Sequence, residues 1–415
     1  MSAWSRLGEA RWRAAGFLAV AAALNYADRA ALSSVLPSLR QEFSLTDAQL
    51  GLVTSLFLWS YAVGSPLAGA LADRWSRRQQ VIWSLVAWSA VTALIGAANG
   101  LTALLVLRAA LGLAESLYLP AATALLADHH GPETRGRAMS VHSVGLNFGV
   151  VLGGSFAGYL AEHFGWRSGF WVLGGAGVLL AAAAPRLLAA SPARNTAAPR
   201  ASFSAAARFL ATVPSFHVLL AKAMLTGVGI WIFLAWLPLY LREAFNLTLG
   251  GAGFAGTFML QVSVVLGLAA GGWVSDRAAG GAGRRRLLVQ GLSYLLAAPF
   301  LLLFLIQPGF ALVAVAISLF SLLRGIGQAN ENPTLCEVVP SQYRSTAIGI
   351  MNTCATAAGG VGVLLAGVLK GGWGLAAVFA GISLLFVISG LALLAAYRFW
   401  AETDAARAQA AETPP

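Results

Sequence analysis

Residues 69–78 read Gly-Ala-Leu-Ala-Asp-Arg-Trp-Ser-Arg-Arg, and residues 272–277 read Gly-Trp-Val-Ser-Asp-Arg. Each stretch ends a long apolar segment, and the two Gly-x-x-x-Asp-Arg motifs lie 203 residues apart. A second pair of related stretches, Pro132 to Arg135 and Pro340 to Arg344, also occurs once in each half of the chain. Duplicated motifs at matching positions indicate an internal structural repeat. The chain is therefore predicted to consist of two related halves.

The composition argues against a soluble globular fold. Apolar residues make up 58% of the chain, with 46 Gly in addition, and charged residues only 10%. A soluble domain has roughly 25% charged residues. A fold of this size could not bury so much apolar surface in water, whereas a lipid bilayer can solvate it. The chain is predicted to be an integral membrane protein.

Twelve segments are long and apolar enough to cross a bilayer, which takes about 20 residues. The first follows Arg6, Arg11 and Arg13 and could be a signal peptide, but its apolar run continues to Pro37, so we predict a retained helix. The predicted fold is all-α, with twelve transmembrane helices in two pseudo-symmetric six-helix bundles. The predicted spans are 14–38, 46–72, 79–97, 101–127, 137–161, 167–185, 214–241, 250–275, 285–305, 309–335, 345–369 and 373–400.

The domain organisation follows from the gap between the two sets of six spans. Residues 1–185 are predicted to form the N-terminal bundle and residues 214–400 the C-terminal bundle. Residues 186–213 are rich in Ala, Pro, Ser and Arg and lack a sustained apolar run, so they are interpreted as a cytoplasmic linker. Residues 401–415 are interpreted as a cytoplasmic tail.

The positive charge is distributed with a strong bias to one side. The net charge of +11 could suggest a nucleic-acid partner. With the N-terminus inside and the spans alternating, 19 Lys and Arg lie in cytoplasmic segments and 4 in outside loops. Basic residues are enriched in cytoplasmic loops. The bias predicts a multi-pass protein of the cell inner (plasma) membrane with both termini cytoplasmic, and it removes the nucleic-acid interpretation.

The Asp-Arg loops resemble the best-known signature of the major facilitator superfamily, and the resemblance covers nearly the whole chain. Ser76 stands where the family usually has Gly. The resemblance implies transport by alternating access between two six-helix bundles. It also implies that Asp73 with Arg74, and Asp276 with Arg277, latch the cytoplasmic helix ends in the outward-facing state. The alternative is that these charges only set topology.

In the first half, four ionisable residues fall well inside the predicted spans, where charge is costly and marks function by default. They are Asp28 and Arg29 in the first span and Arg108 and Glu115 in the fourth. Residues seven apart lie nearly on one helix face, about 10 Å apart along the axis. Asp28 and Glu115 are expected at similar depth, and Arg108 is interpreted as the partner of Glu115. Protonating either acid would release an Arg to bind an anion; the alternative is a closed, purely structural cluster.

The motif Asn25-Tyr26-Ala27-Asp28-Arg29, taken with Arg-x6-Glu and Pro120, resembles the anion:cation symporter branch of the superfamily. This implies carriage of sugar acids or other carboxylates, often with protons, with Asp28 and Glu115 in proton coupling. The charge argument, and not the resemblance, makes Arg29 and Arg108 the candidates for binding the substrate anion. The same pattern, together with residues 44–52, also resembles Spinster-like lysolipid and sphingolipid transporters. A drug:proton antiporter is a third alternative, disfavoured because Val150 stands where those proteins have Pro.

Further polar residues near mid-membrane are candidate substrate contacts: Tyr61, Asn147, Arg324 and Asn352. Tyr61 could equally pack between helices, and each Asn could form an interhelical hydrogen bond. Arg324 needs a partner, which could be a substrate carboxylate or Glu331. Small residues at helical spacing allow close helix approach, which we expect along the fifth span at Gly145, Gly149, Gly153, Gly154 and Gly158.

Nothing in the sequence suggests an enzyme, since no nucleophile is accompanied by a base at a membrane face. Cys336 and Cys354 match no metal or redox spacing. We expect no cofactor and no metal. The expected partners are a small-molecule substrate, protons and the lipid bilayer, and the protein is expected to be a monomer. A receptor would need a large extramembrane domain, for which the sequence has no candidate.

Overall fold

The computed structural model describes residues 3–74, 76–188, 202–279, 284–307 and 309–411. Throughout these ranges the regular secondary structure is helical. The helices are α1 (Ala3–Phe43), α2 (Asp47–Arg74), α3 (Arg77–Ile95), α4 (Leu101–Ser116), α5 (Tyr118–His129), α6 (Pro132–Phe164), α7 (Trp166–Leu187), α8 (Phe203–Leu210), α9 (Pro214–Phe245), α10 (Leu249–Ala279), α11 (Arg285–Leu302), α12 (Phe310–Gln328), α13 (Glu331–Val338), α14 (Arg344–Phe399) and α15 (Ala401–Ala410).

The helices account for the twelve predicted spans. Nine helical stretches of the described chain are long and apolar enough to cross a membrane, and the last of them, Ser341–Phe399, has 59 residues, enough for two crossings. The remaining two spans are α1 and α3, which correspond to the predicted spans 14–38 and 79–97. Both are less apolar than the rest because α1 carries Asp28 and Arg29 and α3 carries a row of buried polar residues.

Two of the spans are interrupted. The fourth consists of α4 and α5, which meet at Leu117, directly after the buried Glu115 and Ser116. The tenth consists of α12 and α13, which meet around Asn330, directly before Glu331. Interrupted spans at corresponding places in two halves are the features that often surround binding sites in transporters.

In each half, one glycine with a positive φ separates the last two spans. Gly165 has φ +83° between α6 and α7, and Gly374 has φ +75° within α14. Only glycine adopts such a conformation without steric cost. The long α14 is therefore two helices joined at Gly374, which agrees with the prediction of separate spans at 345–369 and 373–400.

The chain divides into two compact units. The first comprises Met1–Thr196, Leu234–Thr257 and Val363–Val368, and the second comprises Ala197–Phe233, Phe258–Gly362 and Leu369–Pro415. The division near residue 196 falls inside the predicted linker 186–213. Residues 189–201 of that linker lie outside the described chain, and α8 occupies part of the rest. The predicted bundle boundaries stay predictions.

Close contact between α1 and α6 organises the first unit. A Cβ placed on any of three glycines of α6 would lie 2.1–2.2 Å from a backbone carbonyl oxygen of α1, which means that the two backbones touch. The expected close approach along the fifth span is thus confirmed. The facing pairs are Gly145 with Ala19, Gly149 with Ala23, and Gly153 with Ala27. The other two glycines contact other segments of the same unit: Gly154 faces Gly253 and Gly158 faces Leu249.

The second unit includes part of the predicted tail. Residues 401–410 form α15, whose Asp404 is almost fully buried. The Asp404 carboxylate accepts a 2.8 Å hydrogen bond from the backbone N–H of Ser215, in the first turn of α9. An acid at this position caps free N–H groups and complements the helix dipole. The sequence did not predict a helix in this tail, because its ten polar and small residues show no strong periodic pattern.

Candidate functional site

The structure gathers the four predicted intramembrane charges of the first half into one cluster. Asp28 and Arg29 come from α1, and Arg108 and Glu115 from α4. The exposed fraction is 2% for Asp28, 1% for Arg108 and 0% for Glu115. Arg29 is the most accessible of the four, with 9% of its side chain exposed. The Glu115 carboxylate is close enough to act electrostatically on Asp28, while the expected common depth of the two acids stays a prediction.

Arg29 is the direct partner of Glu115. The Arg29 Nε donates a hydrogen bond of 2.7 Å to Glu115 Oε2, and the Arg29 Nη2 donates one of 3.1 Å to Asn25 Oδ1. The second carboxylate oxygen of Glu115, Oε1, is buried with no hydrogen-bond partner. An ion pair of this kind is held by geometry and by hydrogen bonds, because its two charges have left water.

The prediction that Arg108 pairs with Glu115 was wrong. Arg108 Nε instead donates a long 3.4 Å hydrogen bond to the Val53 carbonyl, and its guanidinium lies 4.5 Å from the centre of the Phe57 ring. Its Nη1 is buried without a partner. Seven residues along one helix separate two side chains by about 10 Å. A residue from the facing helix can approach more closely, and Arg29 does.

Among the described residues, Asp28 has a single hydrogen-bond partner. Its Oδ2 accepts a 3.0 Å hydrogen bond from the Thr92 hydroxyl of α3, and its Oδ1 is buried without a partner. Sequence reasoning missed Thr92. The available signal was the polar face of α3, where Gln80, Ser84, Ser89 and Thr92 are all buried. Buried hydroxyls in a membrane helix are expected to hold a partner.

An aromatic wall surrounds the Arg29 guanidinium. Its central carbon lies 4.7 Å from the Tyr26 ring centre, 5.1 Å from that of Phe57 and 4.5 Å from that of Tyr61. Such contacts are worth about 2 kcal/mol each when desolvated. The predicted Tyr61 is therefore in the cluster and half-buried. Tyr26 was visible in the sequence motif but was given no role, and nothing in the sequence singled out Phe57.

The cluster is electrically neutral, but its hydrogen bonding is incomplete. Two acids and two arginines balance when both acids are ionised, yet four buried polar atoms have no hydrogen-bond partner. Buried polar groups are nearly always hydrogen-bonded, so each exception asks for an explanation. The arrangement can accept a proton on either acid, and it can offer arginine donors to an anion. The four atoms are Asn25 Nδ2, Asp28 Oδ1, Arg108 Nη1 and Glu115 Oε1.

The other predicted substrate contacts have local hydrogen-bond partners or are exposed. Asn147 donates a 2.8 Å hydrogen bond to the Ser143 carbonyl of its own helix, α6. Arg324 and Asn352 belong to the second unit, where Asn352 is exposed. Arg324 Nη1 donates to Gln328 Oε1 at 2.9 Å. The alternative that Glu331 is the partner of Arg324 was wrong, since Glu331 accepts a 2.7 Å hydrogen bond from Lys222.

The predicted latch residues are only partly visible. The side chains of Asp73, Arg74 and Asp276 lie outside the described part of the structure, although their backbone is helical at the ends of α2 and α10. Arg277 is exposed, and its guanidinium lies 3.7 Å from the centre of the Trp273 ring. The latch stays a prediction. Among the described residues no group of three or more His, Cys, Asp or Glu is placed to hold a metal ion.

Known proteins resemble this chain over most of its length. A probable chloroplastic anion transporter of Oryza sativa subsp. japonica is 26% identical over 384 residues, covering 87% of this chain and 64% of its own. A probable galactarate/D-glucarate transporter of Bacillus subtilis is 29% identical, covering 64% and 65%. This chain thus spans just under two thirds of both proteins. An MFS-type efflux pump of Mycolicibacterium smegmatis is 27% identical, covering 94% of this chain and 92% of the pump.

Solved structures support the same fold. The inward-facing, unoccupied structure of a bacterial homologue of the human lysosomal transporter Spinster superposes with a TM-score of 0.74. It is 19% identical and covers 98% of this chain and 99% of its own, which shows a shared fold and no more. The predicted all-α membrane fold is confirmed, and so is the predicted resemblance. The sequence profile of the Major Facilitator Superfamily matches residues 18–362, and the chain belongs to that family.

Proposed function

We propose that the protein is a secondary active transporter that works by alternating access and carries a small organic anion together with protons. The observation that carries the proposal is the buried Arg29–Glu115 ion pair, with Asp28 and Arg108 beside it. Intramembrane charges of this kind are expensive and mark ion or substrate pathways.

Charge balance explains how protons and an anion would be coupled. With both acids ionised the cluster is neutral, and Arg29 is held by Glu115 at 2.7 Å. A proton on Glu115 would leave Arg29 with an uncompensated positive charge in an apolar setting. An uncompensated buried charge costs several kcal/mol, which a bound carboxylate would offset. The proton and the anion therefore favour each other's entry.

Asp28 is the second proposed proton site. Its Oδ1 has no partner, and the Nη1 of the nearby Arg108 has none either. Protonation of Asp28 would leave its Thr92 hydrogen bond possible and would remove the negative charge that balances Arg108, which makes Arg108 a second anion-binding donor. Two acids and two arginines could thus serve a substrate with one carboxylate or with two.

The aromatic wall fits a sugar acid. An arginine binds a carboxylate through two parallel hydrogen bonds, and the rings of Tyr26 and Tyr61 border the Arg29 guanidinium. Tyrosine hydroxyls can donate to and accept from the hydroxyls of a sugar. Asn147, Arg324 and Asn352 are proposed as further substrate contacts. The rice and Bacillus subtilis relatives, described as a probable anion transporter and a probable galactarate/D-glucarate transporter, support this ligand class.

Export is the second candidate, and one observation favours it. The relative described as an efflux pump matches a larger share of both chains than the anion transporters do. The same cluster would serve an antiporter if protons and substrate moved in opposite directions. We further propose a plasma-membrane location with both termini cytoplasmic, a monomer, and a latch role for Asp73, Arg74, Asp276 and Arg277.

Uptake into proteoliposomes tests the proposal. The wild type should accumulate D-glucuronate or a related carboxylate against its gradient when the pH gradient drives protons in the same direction. Glu115→Gln and Asp28→Asn mimic the protonated acids, so each should abolish accumulation, and at least one should still exchange labelled substrate. Glu162→Gln makes the same change at an exposed position of α6 and should accumulate substrate normally.

Three outcomes would contradict parts of the proposal. If both acid variants still concentrate the substrate, proton coupling does not reside in this cluster. If a pH gradient of the opposite sign drives the flux, the protein is an antiporter. If the wild type transports lysolipids and ignores small carboxylates, the arginines recognise a lipid head group instead.

A further inference from the structure

A second buried ion pair lies in the second unit. The Lys222 ammonium of α9 donates a 2.7 Å hydrogen bond to Glu331 Oε1 of α13. The Lys222 side chain is 0% exposed, whereas 29% of the Glu331 side chain is exposed.

This pair repeats the arrangement of the first unit. In each half, a cation on the first span binds an acid on the interrupted fourth span, and an arginine precedes that acid by seven residues. The acid lies beside the interruption in both cases, before Leu117 in one and after Asn330 in the other. The corresponding residues are Arg29, Glu115 and Arg108 in the first half, and Lys222, Glu331 and Arg324 in the second.

An aromatic residue again completes the group. Tyr294 of α11 is almost fully buried and interacts electrostatically with both Lys222 and Arg324. Its ring lies directly on Gly327, where an added Cβ would come within 2.4 Å of the ring. Gly327 is one turn after Arg324 and one turn before Glu331, so the missing side chain lets Tyr294 lie between them.

The two clusters differ in charge. The first is balanced, whereas Lys222 and Arg324 together exceed Glu331 by one positive charge. The next acid along α13, Glu337, pairs with Arg286 at 3.4 Å. Arg324 has the neutral Gln328 as its hydrogen-bond partner, and its Nε is buried without one. Lys222 uses one of its three N–H donors on Glu331. An excess buried cation with unused donors needs a counter-ion.

We propose that Arg324 and Lys222 form a second anion site, with Glu331 as its built-in counter-ion and a carboxylate as its ligand. The unused Arg324 Nε and an adjacent Nη present the two parallel donors that a carboxylate accepts. Glu331, being partly exposed, holds Lys222 in the absence of ligand. The inference rests on the proposed function in one respect only, which is that the ligand is a carboxylate.

Thermal unfolding of the purified full-length protein tests the site, with D-glucuronate as the probe and D-glucose as the uncharged control at equal ionic strength. The measurement is made in the double variant Arg29→Gln/Glu115→Gln, which removes both members of the first pair and leaves Asp28 and Arg108 to balance each other in charge. Glucuronate should still raise the apparent Tm by mass action. Adding Arg324→Gln should weaken glucuronate binding by at least about tenfold, since hydrogen bonds to charged groups are worth that much. Arg208→Gln, at an exposed position of α8, should leave the response unchanged.

Glu331→Gln is predicted to strengthen glucuronate binding rather than weaken it. Removing the built-in counter-ion doubles the excess charge, so glucuronate should bind about tenfold more tightly than in the parent. Arg324→Lys keeps the positive charge but loses the planar guanidinium with its two parallel donors. Glucuronate binding should therefore weaken less than in Arg324→Gln.

The outcomes separate this site from the first one. If the double variant loses its whole response to glucuronate while the wild type keeps it, a second site does not exist and the proposed function stands. If the double variant keeps a response that Arg324→Gln weakens, but wild-type proteoliposomes show no proton-coupled uptake, the second site stands and the proposed function fails. A response that Arg324→Gln leaves unchanged comes from another group, such as Arg108, and refutes the second site. Should the double variant not fold, calorimetric titration decides: the wild type should bind two glucuronate ions and Arg324→Gln one, and equal stoichiometry would refute the inference.

Discussion

The contact between α1 and α6 makes a quantitative prediction for Gly149→Ala. A Cβ at Gly149 would lie 2.1 Å from the Ala23 carbonyl oxygen, 2.7 Å from its Cα and 2.8 Å from its carbonyl carbon. An ordinary van der Waals contact is at least 3.4 Å. The two helices would therefore have to separate by about 1.3 Å at this point. The obstacle is helix backbone rather than a flexible side chain, so it cannot rotate away.

The expected cost is the balance of two effects. Overpacking a well-packed interior costs about 1–3 kcal/mol, and the rigid obstacle places this case at the upper end. Alanine is favoured over glycine in a helix by about 1 kcal/mol. Gly149→Ala should therefore lose about 2 kcal/mol of stability. If α1 is the helix that moves, the geometry of the Asp28–Thr92 and Arg29–Glu115 hydrogen bonds changes with it, because both begin on α1, so transport should fall as well.

Gly175→Ala is the matched control. Gly175 lies in the interior of α7, and a Cβ there would meet nothing within 4 Å. The same substitution should raise stability by about 1 kcal/mol, through helix propensity alone. Apparent melting temperatures of the two variants in one detergent, read by size-exclusion after heating, should move in opposite directions from the wild type.

Two results would refute this reasoning. If Gly149→Ala melts at or above the wild-type temperature, the backbones of α1 and α6 do not touch as described. If Gly149→Ala and Gly175→Ala are destabilised equally, the effect of Gly149 is not one of packing between these helices.

Three further predictions concern topology, the latch and acid stability. Reporter fusions after residue 200 and at the C-terminus should both report cytoplasm, and an outside signal at either would overturn the charge-based topology. Asp73→Asn should slow transport in proteoliposomes with substrate binding largely retained; unchanged rates in both Asp73→Asn and Asp276→Asn would reduce the motif to topology. Burial raises the pKa of Glu42, but hydrogen bonds from Trp166 and Arg167 outweigh it and hold this pKa below 4.5. Glu42 thus contributes stability above pH 4.5 that is lost as the pH falls through its lowered pKa, and Glu42→Gln should flatten that part of the melting curve against pH.

The membrane architecture could be predicted because its signals are local. Apolar length, the side on which Lys and Arg accumulate and the repeat of Gly-x-x-x-Asp-Arg are all properties of single segments. The glycines of α6 could also be interpreted in advance, since small residues at helical spacing have few other uses in a membrane helix. The interruption at Leu117 could not, since it lies within a continuous apolar run.

The pairing of charges could not be predicted, because it depends on which helix faces which. Arg108 and Glu115 share a helix and looked like partners, but the facing helix brings Arg29 within 2.7 Å. Glu331 likewise has Arg324 seven residues before it, yet it binds Lys222 from α9. Spacing along one helix fixes the face on which a side chain lies and its depth, and only packing fixes its neighbour.

The sequence by itself thus determined that this chain is a twelve-span protein with two related halves. It also determined that the chain carries a small set of charged residues that are costly to place in a bilayer. Hydropathy and charge decide this, because the length and composition of each segment determine whether that segment can cross the lipid. The tertiary structure alone decided that the charges of the first unit form a balanced cluster walled by Tyr26, Phe57 and Tyr61, and that Lys222, Arg324 and Glu331 leave one positive charge in excess in the second. Charges interact through distance and local polarity, and both are set only when helices far apart in sequence pack together.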